Sequence, residues 1–95
     1  MMESIKPLSD FFDAIAGDPR ISITHIGVYA AILYCWSKNN FVSPIQVFSH
    51  EIMRVAGISA ATTYHKSIKA LNEYGYVRYE PSFNKNKGSR IFIII

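Results

Sequence analysis

The stretch Ser49-His50-Glu51-Ile52-Met53-Arg54-Val55-Ala56-Gly57-Ile58-Ser59, followed by Thr62-Thr63-Tyr64 and by Ile68-Lys69-Ala70-Leu71-Asn72-Glu73-Tyr74-Gly75-Tyr76-Val77, decides the fold. It holds two short helical patterns on either side of Gly57. Ser49 has cap chemistry for a helix to Ala56, with Glu51 favouring its positive end and Ile52 and Val55 facing inward. Gly57 falls where a left-handed residue lets the chain leave a helix sharply, and Ile58 is an apolar plug for the turn. Ser59 is the better cap for the second helix, whose first residue is Ala60 or Ala61. Tyr64, Ile68 and Leu71, at i, i+4 and i+7, form its buried stripe, and Gly75 closes it.

Outward from this pair, the C-terminal side reads as a β-hairpin. Tyr76 to Glu80 is a strand with Val77 and Tyr79 on one face. Pro81 to Gly88 is polar and turn-rich, and Arg90 to Ile95 is an apolar, β-branched returning strand. On the N-terminal side, Ser9 caps a short helix from Asp10 to Ala16, which Gly17 and Asp18-Pro19 end. Thr24 caps a longer helix to about Lys38. Ile26, Ala30, Leu33 and Trp36 line one of its faces, and Val28, Ile32 and Cys35 a second, so it belongs at the centre of the domain. A short strand near Ile45-Gln46-Val47 follows, and Pro44 marks it as an edge.

Ninety-five residues amount to one domain with a modest core, and 49% hydrophobic with 14% aromatic content argues against disorder. The single Cys35 excludes an intramolecular disulfide and a cysteine-based zinc site, and fits a reducing compartment. No secretory leader is read at the N-terminus, and Ile26 to Trp36 is too short to span a bilayer, so a cytoplasmic location is expected. The net charge of +3 is unevenly spread. Up to Met53, three bases face five acids; from Arg54 on, seven bases face only Glu73 and Glu80. A basic half suggests a face built to meet a polyanion.

From the second helix on, the order helix, strand, helix, turn, helix, strand, loop, strand resembles the winged helix-turn-helix family. Thr63-Tyr64-His65-Lys66, Tyr74-Gly75-Tyr76-Val77-Arg78-Tyr79-Glu80-Pro81-Ser82 and Lys87-Gly88-Ser89-Arg90 are similar to small winged-helix proteins of bacterial prophages and conjugative elements. The resemblance implies a mainly α fold with a small β-hairpin (α+β). It would have a three-helix winged domain over 21–95 and an N-terminal helical extension over 1–20. The stretch after Gly57 is about one residue longer than the family's commonest pattern. The resemblance further implies a sequence-specific double-stranded DNA-binding protein, most simply a transcriptional regulator. The alternatives are a replication or excision accessory factor, with a replication or recombination protein as partner, and a protein-interaction adaptor.

With Tyr64, Ile68 and Leu71 inward, the outward set on the recognition helix is Thr62, Thr63, His65, Lys66 and Lys69. Thr hydroxyls and methyls can read base edges, and Lys can contact guanine or phosphate. Lys85, Lys87 and Arg90, interleaved with Asn84, Asn86, Gly88 and Ser89, suit a wing that grips the backbone. Arg54 is a secondary phosphate contact. Phe83 either anchors the wing on Tyr79 or is left exposed for stacking.

Other chemistries lack a pattern. His25, His50 and His65 have no metal-ligand spacing, and no nucleophile elbow or Gly-rich phosphate loop is present, so neither an enzyme, a metal nor a cofactor is expected. Cys35 reads as a packing residue. In the last strand Phe92 and Ile94 oppose Ile91, Ile93 and Ile95, so a second apolar face needs a cover. The N-terminal helix with Phe11, Phe12 and Ile15 could supply it within the subunit or across a homodimer. The dimer is preferred because the family often reads paired half-sites.

Overall fold

The computed structural model of the chain describes residues 2–82 and 88–94. Over them run α1 (Met2–Ile15), α2 (Ile23–Lys38), β1 (Ile45–Val47), α3 (Ser49–Ala56), α4 (Ala61–Glu73), β2 (Val77–Glu80) and β3 (Ser89–Ile93). The result is an α+β domain of four helices and a three-stranded antiparallel sheet in the order β1-β3-β2. β3 is central, pairing Ile45 with Ile91 on one side and Val77 with Ile93 on the other. β1 lies at an edge, as Pro44 implied.

α2 is the hub. It packs against α1, α3, α4 and β1, and buries Val28, Tyr29, Ala31, Ile32, Leu33 and Trp36. Two apolar strips were expected on it, but Ala30 faces outward and Ile26 is only half-buried. Ser22, not Thr24, occupies the cap, because His25 reaches back over it. His25 Nδ1 accepts the Ser22 backbone N–H at 2.9 Å, leaving Thr24 inside the first turn.

α1 is longer than expected. Ser9 lies inside it, and the helix continues back through Pro7 to Met2. Pro7 forfeits one helical hydrogen bond, yet it is buried, while Phe11 joins the core and Leu8 packs against it. Phe11 stacks on Tyr29 at 4.0 Å and meets the Tyr76 ring edge-on at 5.1 Å. α1 therefore serves the main core through α2 rather than covering the outer face of β3. That face is screened by cations: the Arg78 guanidinium lies 4.9 Å from the Phe92 ring centre, while Ile94 stays exposed.

At the helical pair, Gly57 is left-handed (φ 74°), and the Ile58 N–H donates to the Met53 carbonyl at 2.9 Å. Ser49 is the first helical residue of α3, not its cap; Glu51 Oε1 instead accepts the Phe48 N–H at 3.1 Å. Val55, expected inward, is 41% exposed, while Ile52 is fully buried. α4 begins at Ala61 with Ala60 in the cap position, so Ser59 does not cap it. The half-buried Ile58 holds the turn against the core, and the longer connection carries the helix start past Ser59. Tyr64, Ile68 and Leu71 are at most 1% exposed, and Gly75 takes the left-handed position beyond the helix (φ 86°).

Gly88, read from the sequence as part of a pliant wing, is buried against the backbone of Val47. A Cβ there would stand 2.4 Å from both the carbonyl carbon and the oxygen of Val47. Only glycine permits this approach where β3 begins beside β1. Gly88→Ala is expected to push the two strands apart and destabilise the domain by about 1–3 kcal/mol, read as a lower urea midpoint at unchanged m.

Candidate nucleic-acid interface

α4 has two unlike sides. Its inner side is the Tyr64, Ile68 and Leu71 stripe, which fixes rotation about the helix axis. Thr62, Thr63, Lys66 and Lys69 therefore lie exposed on the other side. Among the described residues no carboxylate pairs with Lys66, Lys69 or Arg54. The first turn of α4 carries no acid, and Ala60 offers no side-chain cap. The positive end of the helix dipole is thus left open beside the two threonines.

His65 departs from the outward set. Its Nδ1 lies 2.9 Å from the Ala61 carbonyl oxygen, which can only accept, so Nδ1 carries the proton. The ring is half-buried and meets Tyr64 edge-on at 5.2 Å, leaving Nε2 as the remaining acceptor.

The hairpin cations divide. Lys85 and Lys87, with Phe83, lie outside the described residues. Arg90 is engaged: its guanidinium donates to Glu80 Oε1 at 2.6 Å, while Arg78 donates to Glu80 Oε2 at 2.7 Å. One carboxylate thus holds two arginines across β2 and β3, and Arg90 acts first as a tie at the hairpin root. The pattern was available in the sequence, since Arg78 and Glu80 share a face at period two. Arg54 is exposed in the last turn of α3 and forms no ion pair with a described acid.

A second cluster had no local sequence signal. Asp18 takes Arg20 bidentately, with both nitrogens at 2.8 Å, and Asp18 Oδ2 also accepts the Tyr76 hydroxyl at 2.8 Å. The Arg20 guanidinium lies 3.9 Å over the Tyr74 ring. The Arg20 hydrogen bonds, then that of Tyr76, hold the Asp18 carboxyl well below the usual carboxylate range. Burial and then Asp18 push the Tyr76 hydroxyl up. Asn72 Oδ1 accepts the Tyr79 N–H at 2.8 Å. The α1–α2 corner and β2 thereby hold the C-terminal end of α4.

Among the described residues no three His, Cys, Asp or Glu side chains gather where they could hold a metal, and no helix is long and apolar enough to cross a membrane. Burial pushes the half-buried Cys35 thiol up, away from the thiolate. No protein-family model, curated protein or solved structure matches the chain.

His25, at the edge of the Asp18 cluster, sets a pH dependence. Its Nδ1 must be unprotonated to accept the Ser22 N–H, and burial lowers its pKa from 6.5, partly offset by Asp18. The unfolded chain therefore binds the proton more readily than the folded one. This contribution is present above pH 6.5 and is lost as pH falls through that value toward the lower folded-state pKa. Urea midpoints measured between pH 7.5 and 5 should fall toward acid, and His25→Asn should flatten that fall.

Proposed function

We propose that this domain is a winged helix-turn-helix that binds double-stranded DNA as a non-enzymatic regulator in the bacterial cytoplasm. The observation that carries the reading is α4. One helix face is locked into the core, while the opposite face presents two threonines and two lysines without a described counter-ion. A helix so held has its orientation fixed before it meets a ligand, and its free side has the donors, methyls and charge that groove recognition uses. The helix before it, the left-handed Gly57 turn and the strand pair after it stand in the chain order of that family.

In this mechanism the N-terminal half of α4 enters the major groove. Thr62 and Thr63 meet base edges, His65 accepts through Nε2, and Lys66 and Lys69 take adjacent phosphates. Lys85 and Lys87 grip the backbone beside the site, and Arg90, released in part from Glu80, adds to them. Arg54 is a peripheral contact. A homodimer reading paired half-sites fits the same scheme.

Titration with duplex DNA at several salt concentrations tests this. With about three to five phosphates neutralised, log affinity should fall against log salt with a slope of roughly −3 to −4.5. Lys66→Ala with Lys69→Ala should weaken binding to all duplexes and reduce the steepness by about 0.9 for each phosphate left without its lysine. Thr63→Ala should instead change the preferred sequence, read by selection from a random duplex pool. A flat salt response, or no binding at low salt, would refute the reading.

A further inference from the structure

β1 has β3 on one side only. Its backbone N–H and C=O groups that turn away from β3 have no partner among the described residues. A groove of about 380 Å³ lies against this strand, and all three residues of β1 line it. Its opposite walls are the C-terminal part of α2 and the outer side of α3.

Three properties of the groove bear on an occupant. Its walls carry exposed apolar groups, Tyr34 at 50% and Val55 at 41% exposure, which nothing in the core requires to face outward. Its rim carries two cations, Lys38 and Arg54, neither paired with a described carboxylate. The Lys38 ammonium instead lies 5.3 Å from the Tyr34 ring centre. The one acid in the lining, Glu51, is committed to the Phe48 N–H at the start of α3. The groove therefore offers strand hydrogen bonds, an apolar seat and an excess of positive charge together.

We propose that the open edge of β1 is a docking site for an extended, acidic peptide segment of a partner protein. The segment adds a strand to the sheet beside β1, with main-chain hydrogen bonds to the free edge. One large apolar side chain sits between Tyr34 and Val55, and carboxylates on either side of it meet Lys38 and Arg54. Duplex DNA is the poorer fit, because a convex phosphate backbone gains nothing from a recessed apolar wall. No residue of α4 lines this surface, and Arg54 is the residue that it shares with the DNA reading.

The test is a random-peptide display library panned against the full chain, with enriched peptides then titrated by fluorescence anisotropy. Enriched sequences should carry two or more acids around one large apolar residue. Lys38→Glu with Arg54→Glu should weaken them at least tenfold, and Val55→Asp should do the same. All three positions are exposed, so the thermal midpoints should stay near that of the parent chain. Amide exchange at residues 45–47 should slow when such a peptide is bound. The proposal is overturned if no peptide is enriched, if enriched peptides lack acids, or if the variants bind them unchanged. It is equally overturned if the double variant loses only duplex DNA, which would make both cations phosphate contacts. Lys66→Ala with Lys69→Ala, tested in parallel on peptide and DNA, separates failure here from failure of the α4 reading.

Discussion

The domain is arranged around the buried side of α2, where Val28, Tyr29, Ala31, Ile32, Leu33 and Trp36 lie. Sixteen residues long, α2 meets α1, α3, α4 and β1, and from Ile23 to Ser37 it carries no Asp, Glu, Lys or Arg. A charge on that buried side would lack a partner, at a cost far above that of any contact it could make. The sheet is small, three strands of three to five residues, so it cannot close a core by itself. The helix supplies the missing apolar surface, and Ile45, Val77 and Ile91 of the sheet join its side chains in one cluster.

Electrostatics in the structure is more economical than a count of charges suggests. The basic half has two acids against seven bases, yet Glu80 alone engages both Arg78 and Arg90. Both arginines also lie against the ring of Phe92, so they cover part of the outer face of the sheet. Exposed pairs of this kind contribute little to stability individually. Their value lies in ordering a strand pair whose outer side would otherwise be bare.

Periodicity made much of this legible. The stripe of Tyr64, Ile68 and Leu71, the edge character of β1 and the left-handed turn at Gly57 follow from spacing and from what glycine and proline can do. Helix starts were less legible, because caps are decided by small competitions: His25 draws the cap to Ser22, and Glu51 caps α3 in place of Ser49. The candidate interface was readable as far as the outward face of α4. His65 turns back on its own helix through a backbone carbonyl, which no residue pattern announces. Gly88 looked like loop chemistry because its neighbour in space, Val47, is remote in the chain. The Asp18 cluster was invisible for the same reason, since Tyr76 lies 58 residues away.

From that cluster α4 gains an anchor beyond its buried stripe. Its far end is clamped through Asn72 to Tyr79, through Tyr74 under Arg20, and through the adjoining Tyr76 to Asp18. Its near end has no side-chain cap at Ala60, but the buried Tyr64 and the half-buried Ile58 seat it on the core. Loss of the Asp18 and Asn72 contacts would therefore fray α4 from its last turn, while Thr62 and Thr63 stay where Tyr64 seats them.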